Sequence, residues 1–478
     1  MDLVLGIDLG TSYFKVALFD RSGGIRGLGR IAVNTDSSDG RRCELPIDRF
    51  WSILRDGLNQ ALNQAGASDT DIRAAGYSSQ ANSFVLLDEH DRPLTPLVLW
   101  PDRRAEEIEP AVLRLWQRRD FLAVTGLGVP PGPGFVAAKL RWFQRHCPHI
   151  WSRVRSIMTI SDHLVFGLTG RRVSDGGTCS LLGLWDLREH TWWSEALDAL
   201  AISRCLMSSP LMPGAIAGRT CGRRAADIGL NVTIPLVVGG LDHHMAAVGA
   251  GVGQLAQLSE STGTVLACLR RLSQFEPRQD CCMGPGTCGE GYYQLAFDGN
   301  GAGGLEWYQQ TRAPGISIPK LVEMAEDVPA GSAGLFAMPS CGLYSGLEGF
   351  RGVGPGHDHG HFVRAIMEST AATLAALVRR LCGADRPGRV VATGGGARSD
   401  LWLQIKADLL GTELVSTRCE EPACMGAAML AAAAAEWSAD PREASATWAA
   451  AGRSFTPRKT EQGFYASWHE RYLQRTRA

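Results

Sequence analysis

Charge of one sign is not in excess here. The 48 Lys and Arg stand against 49 Asp and Glu in 478 residues, a formal net charge of −1, and no basic run extends beyond pairs such as Arg41-Arg42 or Arg223-Arg224. Neither nucleic acid nor an anionic membrane surface is therefore an expected partner. Cysteine is also sparse: 13 residues, an odd number, lie far below the ~8–10% of a disulfide scaffold and fit reduced thiols. Long apolar runs are missing as well, since stretches such as Met429 to Ala435 fall well short of the ~18 residues of a membrane-spanning helix. The chain opens Met1-Asp2 without a basic leader, so an unprocessed cytoplasmic protein is expected. No fixed-period repeat or long low-complexity segment interrupts it. What is present, 45% hydrophobic and 20% charged residues, is the balance of a chain that buries proper cores. At roughly 150 residues per domain, this length calls for at least two of them.

Strand and helix signals alternate, which predicts an α/β architecture. Val4 to Ile7 and Lys15 to Phe19 read as strands around the glycine turn Asp8-Leu9-Gly10-Thr11-Ser12. Phe50, Ile53, Leu54, Leu58, Ala61 and Leu62 recur at helical spacing, and Ile72 to Tyr77 and Ser83 to Leu87 return to strand. Residues 104 to 206 read as mostly helical, interrupted by a loop at Pro130 to Gly134. The pattern restarts with a strand at Pro235 to Gly239 and a helix over Met245 to Gly251, followed by a second strand–turn–strand around Ser261 to Thr264. A helix covers about Val363 to Leu381, and a strand at Arg389 to Thr393 feeds Gly394-Gly395-Gly396-Ala397 and a helix over Asp400 to Leu410, ended by Gly411. We expect two domains, 1–240 and 241–478.

Four segments have the residue types of phosphoryl chemistry. The turn at Asp8 to Lys15 offers backbone N–H groups, hydroxyls and an ammonium to phosphate oxygens, with Asp8 at its mouth to hold hydrated magnesium. Thr262-Gly263-Thr264 is a similar turn in the second half. Gly239-Gly240-Leu241-Asp242 ends a strand in glycines and presents a carboxylate where a helix begins; that group suits a general base, or equally a helix cap. The glycines at 394–396 let backbone approach a nucleotide at a helix N-terminus, and small residues at Ala423, Gly426 and Ala427 behind Pro422 let a second helix pack beside it.

In this order and at these separations, the motifs resemble the FGGY family of carbohydrate kinases over nearly the whole chain. Further similar stretches are Trp100 to Ala105, Gly303-Gly304-Leu305-Glu306-Trp307, Arg351-Gly352 and Arg364 to Glu368. The resemblance implies two actin-like (ribonuclease H-like) ATPase domains about a deep catalytic cleft, and an ATP- and Mg²⁺-dependent kinase of a small ketose or polyol, xylulose-like. It implies Asp242 as catalytic base, and Asp8 and Asp242 as the acids associated with magnesium. Gly10, Thr11, Ser12 and Lys15 then form the first phosphate turn, Thr262, Gly263 and Thr264 the second. Gly304, Gly395, Gly396, Ala397 and Ser399 fall on the nucleotide side, and Gln80, Ala81, Asn82, Asp102, Arg104 and His243 on the sugar side. A homodimer is an expected assembly. One departure concerns the substrate: xylulose kinases carry Met-His-Gly after the Gln, whereas this chain has Ala81-Asn82-Ser83, and an Asn amide keeps hydrogen bonding to a polyol while changing its shape.

Two other functions fit parts of the sequence: a non-catalytic sugar or nucleotide binder of the same fold, and a metal-dependent phosphoesterase using Asp242, His243 and His244, although the Asp-x-Asp partners of such a metal pair are missing. Gly356 to His361 alternates imidazoles but reads as an exposed loop, Cys281, Cys282 and Cys288 as buried thiols, and Trp185, Trp192 and Trp193 as packing anchors.

Overall fold

The turn after Leu9 closes a hairpin, Leu3–Leu9 against Tyr13–Phe19, in which Asp8 lies opposite Lys15. A computed structural model describes residues 1–35, 40–231, 233–340 and 347–476 and divides the chain into two compact units. The first comprises Met1–Gly249, Arg271–Gln294 and Glu421–Ala449; the second comprises Ala250–Arg270, Leu295–Glu420 and Ala450–Ala478. The expected 240/241 boundary falls inside the first unit, which thereby includes Asp242 and also recruits a late helix pair.

In the first unit a six-stranded sheet runs in the order Ile216–Arg219, Pro235–Leu241, Ile72–Ser79, Leu3–Leu9, Tyr13–Phe19, Ile25–Ala32. Its three central strands are parallel, and Leu3–Leu9 is buried at every position, the near-continuous apolar pattern of a strand covered on both faces. The Ile47–Ala65 helix lays Phe50, Ile53, Leu54, Leu58 and Ala61 inward and ends at Gly66 with φ 60°, a left-handed cap that glycine takes without strain. Together with Leu5, Phe14 and Val16 of the sheet these residues form one continuous core. The Pro422–Ala434 helix also packs in this unit: a Cβ on Gly6 would stand 2.2 Å from the Cys424 carbonyl oxygen, and one on Gly76 2.2 Å from that of Ala427. The small residues at 423–427 therefore serve this sheet and the Asp242–Gly249 helix.

Residues 104 to 206 are less helical than expected. Short helices alternate with strands such as Ser156–Thr159 and Val173–Asp175, because buried capping residues, not helical periodicity, set the chain path: Asp175 accepts the Thr178 N–H at 2.6 Å, and Thr159 Oγ1 accepts that of Asp162 at 3.1 Å. Trp185 and Trp192 meet edge to face at 5.4 Å in the core, as anchors should.

In the second unit, strands lie in the order Tyr292–Asp298, Leu266–Leu272, Leu258–Thr262, Arg389–Thr393, Glu413–Thr417, Ala451–Phe455. Leu258–Thr262 pairs antiparallel to its hairpin partner and parallel to Arg389–Thr393. The long helix is His359–Cys382, capped by Asp358, whose side chain accepts the His361 N–H. His361 Nδ1 in turn lies 2.7 Å from Asp358 Oδ1. His359 and His361 thus belong to a helix start, while Gly356 and His357 stay in the expected loop, and His359 Nδ1 bonds the Tyr308 hydroxyl at 2.8 Å. Cys281 and Cys282 are buried, and the Cys288 side chain lies outside the described set. Among the described residues no helix is long and apolar enough to cross a membrane.

Candidate active site

Parallel strands in one sheet end along one edge, and functional groups of α/β folds gather there. In the first unit the register sets Asp8 beside Ser78, and Ser78 beside Gly240, so Asp242 begins its helix one residue past the end of the third strand. Asp8 Oδ1 accepts the Ser78 hydroxyl at 2.9 Å, and Lys15 Nζ lies 3.6 Å from Asp8 Oδ2. Lys15 is held more closely by Glu421, at 2.6 Å. Glu421 precedes the Pro422–Ala434 helix and makes no side-chain cap; its carboxylate turns to Lys15 while remaining at a helix N-terminus, where negative charge is favoured.

Two carboxylates, Asp8 and Glu421, therefore flank one ammonium, and a third, Asp242, lies close enough to Asp8 to act on its charge. Burial pushes the Asp8 carboxyl up to about 6 from 3.8; Lys15 opposes this, and Asp242 and Glu421 reinforce it. Burial alone would lower Lys15, but Asp8 and Glu421 outweigh it and hold the ammonium above its ordinary value. The net deficit of positive charge, presented by hard oxygen donors, fits a divalent cation such as magnesium. Asp242 Oδ1 accepts the His243 N–H at 2.8 Å, and its Oδ2 accepts no hydrogen bond among the described residues, leaving it available to take a proton.

The raised Asp8 carboxyl bears on stability. In metal-free protein the native state keeps the Asp8 proton between about pH 4 and 6 while the unfolded chain has released it. The contribution to stability is thus present below about pH 4 and lost as pH rises through 6, a difference of roughly 3 kcal/mol. Asp8→Asn should raise the melting temperature at neutral pH and flatten its decline between pH 4 and 6. Calorimetry without metal checks this, and a lower melting temperature would show that the carboxylate stabilises the fold.

The other sequence-derived residues divide sharply. A Cβ on Gly10 would stand 2.7 Å from the Tyr13 carbonyl oxygen, so the first turn requires glycine; Thr11 and Ser12 lie on it, and Thr11 Oγ1 accepts the Trp100 indole at 2.7 Å. Gln80 is buried and committed on both sides, donating to the Gly10 carbonyl at 3.1 Å and accepting from Ser83 at 2.9 Å. Asn82 sits at φ 60°, a conformation Asn tolerates better than most. Its Oδ1 accepts the Val136 N–H at 3.0 Å and its Nδ2 donates to the Leu181 carbonyl at 3.1 Å. The amide in the place of the xylulose kinases' His is thus engaged in holding the chain. Asp102 and Arg104 are buried against each other, Arg104 Nε donating to Asp102 Oδ1 at 2.8 Å, and Arg104 also reaches Glu44. Ala81 and His243 remain partly exposed. His244 points the other way, against the Tyr293 ring at 5.0 Å, and burial lowers it to about 3. No group of three or more metal-ligating side chains occurs among the described residues, which leaves the phosphoesterase reading without a metal pair.

In the second unit the turn Thr262-Gly263-Thr264 backs onto the Gly303–Arg312 helix, whose start donates from Ala302 N to the Gly263 carbonyl at 2.7 Å. Gly304 is buried there. The Gly394-Gly395-Gly396-Ala397 segment passes directly over Thr262: Gly394 has φ 78°, and a Cβ on Gly396 would stand 2.7 Å from Thr262 Cβ. Ser399 caps the Asp400–Leu410 helix by accepting the Trp402 N–H at 3.2 Å. Sequence reasoning passed over Ser78 and the partnership of Glu421 with Lys15. Ser78 could have been found from the parallel register, whereas Lys15 and Glu421 are 406 positions apart in sequence, with no local signal joining them.

In sequence and in fold the chain is similar to known sugar kinases. The chain is 27% identical to the xylulose kinase of Lactococcus lactis, covering 90% of this chain and 88% of that protein. It is likewise 27% identical to the L-xylulose/3-keto-L-gulonate kinase of Escherichia coli, over 89% and 87%. Its fold matches ligand-bound xylulose kinase from Lactobacillus acidophilus with a TM-score of 0.87 at 21% identity, covering 99% and 97% of the two chains. Plasmodium falciparum glycerol kinase with ADP gives 0.84 at 18%, over 100% and 98%. Residues 3–249 match the N-terminal domain and residues 308–435 the C-terminal domain of one family, so this chain belongs to the FGGY family of carbohydrate kinases.

Proposed function

We propose that this protein transfers the γ-phosphate of ATP to a hydroxyl of a small ketose or polyol, xylulose or a close analogue, with Asp242 as the base. The observation that carries the reading is the placement of Asp242 at the carboxyl end of a parallel strand, one oxygen tied to backbone and the other open, beside the Asp8–Lys15–Glu421 cluster. Asp242 would accept the proton of the attacking hydroxyl; because the phosphoryl transition state is loose, orientation of that hydroxyl contributes more than base strength. Asp8 and Asp242 would hold the magnesium ion, which when bound neutralises charge on the phosphates. Lys15 is neutralised by two carboxylates in this arrangement, so its part is to keep Asp8 and Glu421 in place. The first turn, Gly10 to Ser12, and the second, Thr262 to Thr264, would supply backbone N–H groups to phosphate, and Gly395 to Ser399 the nucleoside side. On the sugar side, Ala81 and His243 would face substrate, while Gln80, Asn82, Asp102 and Arg104 fix the backbone that shapes the site.

A coupled ADP-release screen over pentuloses, hexuloses, tetruloses, alditols, aldonates and glycerol tests the reading. A pentulose should lead by tenfold or more in kcat/KM, equivalent to about 1.4 kcal/mol of transition-state binding. ADP release no faster than with ATP alone, for every compound, would refute it.

A further inference from the structure

Beneath the two turns assigned to the nucleotide lies an ion pair that the reaction itself does not use. Lys406 Nζ donates to Glu260 Oε1 at 2.7 Å and to Thr262 Oγ1 at 2.6 Å, and Thr262 Oγ1 donates to Glu260 Oε2 at 2.7 Å. Both charged side chains are 0% exposed. Glu260 lies two residues before one turn, and Lys406 lies in the Asp400–Leu410 helix that follows the other.

Stability is a poor reason for such a pair. Removing two charges from water costs about as much as their attraction returns, and well-packed apolar side chains of similar volume are often neutral or stabilising replacements. An apolar pair could not orient the Thr262 hydroxyl. That hydroxyl is held inward from both sides, which fixes the χ1 rotamer of a β-branched residue. The consequences reach the glycine segment. With Thr262 so turned, a Cβ on Gly396 would meet Thr262 Cβ and Cγ2 at 2.7 Å, and one on Gly394 would meet the Thr262 carbonyl oxygen at 2.8 Å. Thr393 Oγ1 adds a bond to the Glu260 carbonyl at 3.0 Å. Lys406 is braced in its turn, its ammonium 5.4 Å from the centre of the Trp402 ring, whose indole donates to the Met367 carbonyl at 3.2 Å.

We propose that Glu260 and Lys406 are positioning residues that lock Thr262 and thereby set the spacing of the Thr262–Thr264 turn and the Gly394–Ser399 segment for one ATP. This rests on the reading of those two segments as the nucleotide site. It also changes the part assigned to Thr262: its hydroxyl is spent on the ion pair, so its contact with phosphate is through backbone.

The test is calorimetric titration of the full chain with MgATP, alongside thermal melting. Single removal of either partner strands a buried charge and confounds folding with binding, so the informative variants are Glu260→Leu/Lys406→Met and, separately, Thr262→Val, which keeps the ion pair and deletes only the hydroxyl. Both should melt cooperatively within a few degrees of the parent and bind MgATP at least tenfold more weakly. Wild-type affinity in either folded variant would overturn the proposal. Loss of cooperative melting in the double variant would overturn it too, by showing that the pair serves the fold. If the parent chain itself does not bind MgATP, the nucleotide reading fails, and that outcome is distinct from the other two.

Discussion

Asp242→Asn should lower kcat about a thousandfold and leave the affinity for MgATP within twofold of the parent. The substitution keeps the side-chain volume and the oxygen that accepts the His243 N–H at 2.8 Å, so the helix start is preserved. It replaces the open carboxylate oxygen by an amide that cannot take a proton. A positioned general base contributes roughly 10²–10⁴ in rate, and part of that range is expected to survive here because orientation dominates a loose phosphoryl transition state. The decisive comparison is between kcat, from coupled ADP release with saturating sugar, and Kd, from calorimetric titration with MgATP. A variant retaining more than a tenth of the parental kcat would remove Asp242 from the role of base. A parallel collapse of nucleotide binding would show that its hold on the metal, rather than proton transfer, accounts for the loss.

Much of this architecture was legible because its signals are local. The hairpin about Gly10, the Ile47–Ala65 helix and the strand–glycine–helix passage from Arg389 to Leu410 each carry their periodicity and their stop residue within one short window, and the structure has them at nearly the expected limits. The ends of the parallel strands were legible for the same reason, since Gly239-Gly240-Leu241-Asp242 announces a strand meeting a helix. What local pattern could not supply was the traffic of the chain between units. Nothing at Ala423 to Ala427 says that this small-residue helix packs on the Leu3–Leu9 strand at the other end of the chain. Side-chain direction was equally hidden. Gln80, Asn82, Asp102 and Arg104 have the hydrogen-bonding chemistry of sugar contacts, yet their polar atoms are engaged by backbone and by one another. A buried polar group must find partners, and sequence does not reveal whether those partners are substrate or the protein's own chain.

Gly426→Ala should destabilise the first unit strongly, though by helix propensity it ought to stabilise by about 1 kcal/mol. The added Cβ would stand 2.0 Å from the Met245 carbonyl oxygen, 2.8 Å from Met245 C and 3.1 Å from Gly249 N. All three atoms are backbone of the Asp242–Gly249 helix, so no side chain can swing aside. The contact is reciprocal, because a Cβ on Gly249 would lie 2.0 Å from the Pro422 carbonyl oxygen. The Pro422–Ala434 helix cannot retreat either, since Gly6 and Gly76 bring the sheet just as close on its other side. Overpacking of this kind costs ~3 kcal/mol, and the melting temperature should fall by about 6–12 °C. Whatever relief the protein finds must separate the helix that begins with Asp242 from the one preceded by Glu421, so kcat should fall in the fraction that remains folded. The matched control is Gly463→Ala, in the Lys459–Thr476 helix with nothing within 4 Å of the new methyl, where the same substitution should stabilise by about 0.5–1 kcal/mol. Opposite signs for the two substitutions in one melting experiment would show that backbone proximity at Gly426, and not helix propensity, sets how the Asp242–Gly249 and Pro422–Ala434 helices meet; equal signs would overturn that reading.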